Sequence, residues 1–322
     1  MQQFDDRDQL QVMNVTKIEN VAPTKANGDS SASGLVSVLV PHLNDYENLD
    51  VCLTLLQNQS FARDRMEIVV ADNGSSRGIE AVREIVGGRG RVVEVAERGA
   101  GPARNAAVRT ARGEVLAFID SDCRPDEHWL EEGLAELNFG DFVGGRVEVL
   151  VDGRKRLTPA EAFERVFAFR NERYVNELGF SITASMFVRR SVFEAVGGFE
   201  NGVPEDRDWC DRARSKGYQI RFASKSVVGH PARRTMAELR RKWRRMTLEW
   251  CEAERRKGTA PILLLLRQWA VLFSIVPHAL VIMTTNRLSR SGDRIRAVSA
   301  LAHIRAYRFA FAHWTLLQSY RT

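Results

Sequence analysis

Four short apolar runs, each rich in β-branched residues, most constrain what this chain can fold into. They are "LVSVLV" (Leu35 to Val40), "EIVVA" (from Glu67), "RVVEVA" (from Arg91) and "EVLAFI" (from Glu114). Each has strand length, and helical patterns separate them. "ENLDVCLTLLQNQ" carries Leu49, Cys52, Leu53 and Leu56 at helical spacing, and "GIEAVREIV" follows the second run. In "RGAGPARNAAVRTARG", Gly99 and Gly101 allow a tight turn, Pro102 suits a first helical position and Gly113 ends the helix. The first run is expected to stop at Pro41. Strands that alternate with helices predict a doubly wound, mainly parallel α/β sheet with helices on both faces, of Rossmann-like type. Ligands of such sheets sit at the C-terminal ends of the strands.

The pattern changes after Gly140. "DFVGGRVEVLVD" reads as a strand pair or as one strand with a bulge, and "PAEAFERVFAFRNERYV" as one amphipathic helix. "SITASMFVRRSVFEAVGGF" gives a strand, a helix and a Gly-Gly turn. "PEDRDWCDRARSKGY" opens a helix with Pro204 and two acids, Glu205 and Asp206.

Charge divides the chain. The net charge is +6, yet from Pro231 onward there are 18 Lys+Arg against 5 Asp+Glu, which leaves −7 on the rest. An acidic body with a basic tail points to an anionic partner, nucleic acid or a membrane surface. The tail also holds apolar runs, which suit lipid better than nucleic acid. "TMAELRRKWRRMTLEWCEAERRKG" places Met236, Leu239, Trp243, Met246 and Trp250 on one helical stripe. Ile262 to Met283 is long enough to span a bilayer, but Arg267, Gln268, Pro277 and His278 interrupt it and basic residues flank both ends. An in-plane or re-entrant membrane helix is expected, with peripheral or monotopic seating. Residues 1–34 are polar, lack a secretory apolar core and read as a mobile arm and linker. The four cysteines are scattered without a CxxC pair, which fits a reducing compartment.

The fourth run ends on "FIDSDC", two carboxylates, Asp120 and Asp122, one residue apart. Such a pair at the mouth of an α/β crevice is costly unless a cation neutralises it. A hard divalent ion, Mn²⁺ or Mg²⁺, would do so and would in turn take a diphosphate. The bland alternatives are two solvated acids or a helix cap. An EF-hand is excluded, because Arg124 and Pro125 stand where the loop needs Asp/Asn and Gly. "RVVEVAERGAGPAR" has a Gly-x-Gly turn, but Arg104 replaces the third glycine of a dinucleotide fingerprint.

In collinear order from about Leu35 to Trp243, five segments resemble the family 2 glycosyltransferases of the GT-A fold. "VSVLVPHLNDYENLDVCLTLLQNQS" is similar to that family's opening strand and Pro-x-x-Asn turn, here Pro41 and Asn44. "EIVVADNGSS" is similar to its second strand, with Asp72 and Asn73 at the end. "GAGPARNAAVRTARGEVLAFIDSDC" contains its Ala-Arg-Asn helix, with Arg104, and its Asp-x-Asp motif. "ASMFVRRSVFEAVGGFENGVPEDRDWCDRARSKGY" is similar to its acceptor-side block, and "VVGHPARR" supplies a later histidine.

The resemblance implies an inverting, metal-dependent enzyme that moves one sugar from a nucleotide-diphosphate sugar, by family habit a UDP-sugar. Asp206 would be the general base and Glu205 would position the acceptor. Pro41, Asn44, Asp72, Asn73, Arg104, Asp120 and Ser121 would bind the donor, with Asp72 reading the base. Asp120, Asp122 and His230 would hold the metal. Taken singly, Glu205 and Asp206 could instead complement a helix dipole, Asp72 could be a turn residue, Arg104 a surface ion-pair partner and His230 structural. The implied division is a catalytic domain over 35–232, with a nucleotide-sugar half (35–140) and an acceptor half (141–232), then a basic helical tail over 233–322. "LRRKW" departs from the Gln/Arg-x-x-Arg-Trp motif of processive members, so single transfers are expected. The acceptor would be a glycan or a polyprenyl-linked saccharide at the cytoplasmic face of the plasma membrane, in exopolysaccharide or cell-envelope assembly. A non-catalytic nucleotide- or lipid-binding protein of the same fold is the alternative.

Overall fold

The computed structural model describes residues 34–318, apart from 152, 154 and 155. The arm expected over 1–34 lies outside the described residues except for Gly34. The four apolar runs form β1 (Val36–His42), β2 (Met66–Asp72), β3 (Arg91–Glu94) and β4 (Val115–Phe118), all parallel, in the spatial order β3-β2-β1-β4. Between them run α1 (Tyr46–Gln57), α2 (Ile79–Val86) and α3 (Ala100–Thr110).

The expected stop of β1 at Pro41 is corrected: the strand continues to His42. The carbonyl of Leu39 accepts from Ile119 on the β4 side, and that of His42 accepts from Asn73 on the β2 side. Pro41 therefore faces the β4 side, where the β1–β4 ladder has already ended at Leu39. Its missing N–H breaks no ladder bond.

Next come β5 (Arg124–Pro125), α4 (Trp129–Leu137), β6 (Phe142–Leu150), α5 (Pro159–Phe167) and α6 (Asn171–Leu178). They are followed by β7 (Met186–Arg189), α7 (Arg190–Val196), α8 (Glu205–Ser215) and β8 (Ile220–Pro231). The eight strands form one mixed sheet, β3-β2-β1-β4-β7-β6-β8-β5. β7 is antiparallel to β4 and β6, β6 is parallel to β8, and β5 closes the edge antiparallel to β8. β6 is one strand with a register shift at Gly145/Arg146, which settles the alternative left open by its sequence.

Alternate residues feed two cores, one on each face. Leu39, Val69, Leu116 and Phe118 pack with α3, α7 and Trp209 of α8. Val38, Val40, Val70 and Ala117 pack with α1, α2 and α4. Both faces are covered, so the strands read as continuous apolar runs.

The single helix expected over 159–175 is corrected to two. α5 and α6 are separated at Phe169, whose φ is +54°, a left-handed conformation costly for a bulky residue. Tertiary contacts override local helix propensity here. The Asn171 amide donates to the Gly145 carbonyl at 2.7 Å and to Ser181 at 3.0 Å, while the Phe169 ring stacks on His230 with centroids 4.2 Å apart.

The tail forms α9 (Met236–Arg256), α10 (Pro261–Phe273), α11 (Ile275–Thr284) and α12 (Ser291–Gln318). Thr235 and Glu238 form a reciprocal capping box at the start of α9. Leu239, Trp243 and Trp250 of the expected stripe are buried, whereas Met246 is exposed. Buried Glu164 of α5 accepts from Arg233 at 2.8 Å and Lys242 at 3.0 Å, which ties α9 to the body. α10 and α11 meet at Ser274. Pro277 lacks the N–H that would close on Phe273, which explains the interruption there. All four cysteines are buried and unpaired.

Candidate active site

A cleft of about 510 Å³ opens at the C-terminal ends of β1 and β4. Pro41 and Asn73 line it from the strand ends, and Asp120, Ser121 and Asp122 from the tight turn after β4. The start of α3 supplies Gly99 and Arg104; Glu205 and Asp206 at the start of α8 and His230 near the end of β8 close it. Nine of the eleven sequence-predicted site residues thus meet around one cavity.

Arg104 organises the acids. It is buried, donates to Asp120 Oδ1 at 2.8 Å and to Glu205 Oε1 at 2.9 Å, and lies 3.9 Å from Asp206. A neighbouring guanidinium thus faces Asp120, the first acid of the strand-end pair, and also bridges to Glu205, 101 residues away in sequence. Asp206 accepts from the Thr183 hydroxyl at 2.8 Å. Burial, and then the Glu205 carboxylate beside it, push its pKa up to about 7 against the pull of Arg104. A carboxyl poised near neutrality is what general-base work requires.

Asp122 faces the imidazole of His230, with Oδ2 to Nε2 at 3.3 Å. Nδ1 of His230 lies 2.9 Å from the Pro231 carbonyl. That carbonyl can only accept, so Nδ1 carries a proton and Nε2 is turned toward Asp122 and the cleft, the orientation of a metal-ligating histidine. Burial raises the Asp122 pKa, with His230 opposing and Asp120 adding, so a cation would relieve the site. Among the described residues no three His, Cys, Asp or Glu side chains converge as a ready cage. Two protein ligands still fit a hard divalent ion, which completes its shell with water and substrate phosphate. Asp120, the third expected ligand, has one oxygen on Arg104.

Two expected donor residues lie outside the cleft lining. Asp72 is buried, and its carboxylate accepts from the Ser75 amide at 3.1 Å and the Ser75 hydroxyl at 2.5 Å. Asn44, at φ +58°, accepts from Ser76 and staples the loop after β1 to the loop after β2. Both shape the wall behind the cleft. Asn73 lines it and brackets the 97–99 loop, donating to the Glu97 carbonyl at 2.7 Å and accepting from the Gly99 amide at 2.8 Å. Gly99 is required there: its φ is +137°, and a Cβ would sit 2.6 Å from Asn201 Oδ1.

Several residues of the cleft escaped the sequence reading. Arg233, Lys242 and Arg245 give it a cationic rim, and the last two come from α9. Their signal in the sequence is the cluster of basic residues just past the histidine, which reads there as charge of the tail. Phe169 forms a wall shared with His230, and Lys242 Nζ lies 5.1 Å from its ring centroid. His42 is buried, stacks edge-on with Tyr46 and has no hydrogen bond at either ring nitrogen. A histidine directly after Pro41 was the available hint.

The mixed sheet with an acidic cleft at its strand ends is the GT-A architecture of glycosyltransferases. The chain belongs to that class through one family: the profile described as "Glycosyl transferase family 2" matches residues 37–197. Glycosyltransferase AglE of Haloferax volcanii is 32% identical over 212 residues, covering 63% of this chain and 69% of that one. Pre-mycofactocin glycosyltransferase of Mycobacterium tuberculosis is 26% identical over 211 residues, covering 62% of this chain but 43% of that one. Among solved structures, mannosyltransferase PcManGT of Pyrobaculum calidifontis, in complex with GDP-Man and Mn2+, superposes with a TM-score of 0.57. The match covers 95% of this chain and 91% of that one at 20% identity, a likeness of fold. The chain is a family 2 glycosyltransferase.

Proposed function

We propose that this enzyme is inverting and metal-dependent, and adds one sugar per encounter from a nucleoside-diphosphate sugar to a hydroxyl of a glycan or lipid-linked saccharide. The observation that carries this reading is the meeting of Asp120, Asp122 and His230 with Asp206 in one cavity. Asp206 accepts the proton of the acceptor hydroxyl. The acceptor oxygen forms its bond to the anomeric carbon as the bond from that carbon to the diphosphate breaks, and the electron pair departs with the nucleoside diphosphate. Attack from the side opposite the leaving group inverts the anomeric centre. Mn²⁺ or Mg²⁺ at Asp122 and His230 would supply charge neutralisation for the departing diphosphate. Asp120, held by Arg104, and Asn73 and Ser121 border the donor, and the 99–104 helix start favours its anionic portion.

The tail supports work at an anionic membrane surface. Ile262, Leu266, Trp269, Phe273, Val276, Leu280 and Met283 are all exposed, at alternating spacings of four and three, along one face of α10 and α11. Leu264, Val271, His278 and Ile282 on the other face are buried. Residues 262–284 are the one stretch among the described residues long and apolar enough to cross a bilayer. The two-sided burial pattern, with Arg255, Arg256 and Lys257 before it and Arg287 and Arg290 after it, favours in-plane seating at the cytoplasmic leaflet. Cell-envelope or exopolysaccharide assembly is the setting that needs such an enzyme.

The test is a screen of nucleotide sugars, UDP-sugars first and GDP-mannose as comparator, with and without Mn²⁺, following nucleoside-diphosphate release and the anomeric configuration of the product. The reading fails if no donor gives metal-dependent release, or if configuration is retained.

A further inference from the structure

A second cavity, of about 240 Å³, adjoins the donor cleft and shares Phe169, Glu205, Asp206, Lys242 and Arg245 with it. The acid assigned as base stands where the two meet, so a hydroxyl reaching Asp206 from the far side of the donor comes through this slot. Its walls are Phe163, Phe167, Phe169, Tyr174, Phe180 and Trp243, from α5, α6, α9 and the segments beside them. A subsite for a long glycan must offer hydrogen-bond partners to many hydroxyls. Here most polar groups are engaged already. Glu164 is held by Arg233 and Lys242, while Arg207 pairs with Asp211 at 2.7 Å and stacks over Phe180. Among the lining side chains, the indole N–H of Trp243 and Nη1 of Arg207 are the two donors buried without a hydrogen-bond acceptor, far fewer than a run of sugar hydroxyls needs. Glu249 and Arg245, 3.6 Å apart, add a charged edge.

The slot also lies one helix layer from the exposed apolar stripe. Phe167 of its wall contacts His278 of α11 with ring centroids 5.7 Å apart, and Phe163, Phe167 and Trp243 share a core with Ile282. Val276, Leu280 and Met283 look outward from the same helix.

We propose that this slot is an acceptor subsite for the hydrocarbon chain of a lipid, so that the accepting hydroxyl lies on the lipid itself or on its first sugar, not at the end of a long glycan. The assignment rests on the transferase reading above and narrows its acceptor. A chain in the slot buries apolar surface against aromatic walls, with its hydroxyl at Asp206 and its charged or polar end beside Lys242 and Arg245.

The experiment uses the full chain and a diazirine-bearing farnesol as probe, with peptide mapping of the photo-adducts. Adducts in 159–169 and 243–249 that saturate with probe are expected. Met246→Trp, at an exposed position on the slot's edge, is expected to lower them by about tenfold or more, the loss of roughly one buried apolar side chain, with Mn²⁺–nucleotide affinity unchanged. Adducts confined to 262–283, which mark surface adsorption alone, overturn the assignment. So do adducts that Met246→Trp leaves undiminished, or that soluble oligosaccharides displace while farnesol does not. Mn²⁺–nucleotide titration of the same protein judges the transferase reading separately: slot labelling without nucleotide binding sinks that reading, and nucleotide binding without slot labelling sinks this one.

Discussion

Replacing Asp206 by Asn should make the folded protein more stable at alkaline pH while sharply slowing transfer. Asp206 sits at about 7, against 3.8 for an ordinary carboxyl, because burial and Glu205 oppose its charge. Its folded-state value is raised, so its contribution to stability is fully present below the unfolded pKa and is lost as pH rises through 7. Going from 3.8 to about 7, at about 1.4 kcal/mol for each tenfold change in proton affinity, gives a ceiling of about 4 kcal/mol. The side chain is 26% exposed, and solvent screening trims this ceiling to about 2–4 kcal/mol. Asn keeps the shape and can still accept from the Thr183 hydroxyl, but it cannot ionise. The stability advantage of Asp206→Asn is therefore expected to be about 1–2 kcal/mol at pH 5 and to rise to about 2–4 kcal/mol by pH 8. Urea denaturation followed by tryptophan fluorescence, at matched m-values and without nucleotide or metal, measures it. Transfer should fall by about 10²–10⁴-fold with donor binding retained. An advantage that does not change with pH, or a loss of stability at pH 8, would show that Arg104 fully compensates the charge and that Asp206 is not held at a cost. Near-normal transfer by the variant would remove it from the role of base.

Three further outcomes are expected. His230→Ala should weaken Mn²⁺ binding in the presence of nucleoside diphosphate by at least about tenfold, read by electron paramagnetic resonance titration of free Mn²⁺; unchanged binding would take His230 out of the metal set. Glu205→Gln should move the acid limb of the kcat/KM profile to lower pH, because Glu205 is one of the groups that raises Asp206; a limb that stays in place would assign the limb to another group. Phe273→Glu combined with Leu280→Glu should reduce co-sedimentation with anionic vesicles about tenfold or more, with nucleotide binding intact; wild-type partitioning by this variant would argue against seating on the stripe.

Much of the fold is legible in the sequence because the sheet is covered on both faces. Residues alternate between two buried cores, so β1, β2 and β4 appear as unbroken apolar runs. The turn chemistry of Gly99 and of the Asp120–Asp122 segment marks where the strands deliver ligand-facing groups. Long-range contacts hide the rest. Nothing in "VFAFRNE" announces a left-handed Phe169, since the conformation is imposed by His230 beyond one end of the segment and by the Asn171 bonds at the other. Pro41 reads as a terminator until the strand is seen to have lost its β4 neighbour on that side. The pairing of Arg104 with both Asp120 and Glu205 needs residues more than a hundred apart to be brought together. The basic residues of α9 were legible as charge but not as cleft, because composition does not say which way a helix face points.

The profile that defines the family ends at residue 197, in the Gly197–Gly198 turn, yet Glu205, Asp206, His230, Lys242 and Arg245 all follow it. One guanidinium, Arg104, joins the two sides of that seam. A change after the turn that removes the acid at Glu205 would therefore strip a partner from a buried guanidinium that belongs to the segment before it. The arginine is the fitting through which any change in the later segment is felt by the acids at the end of β4.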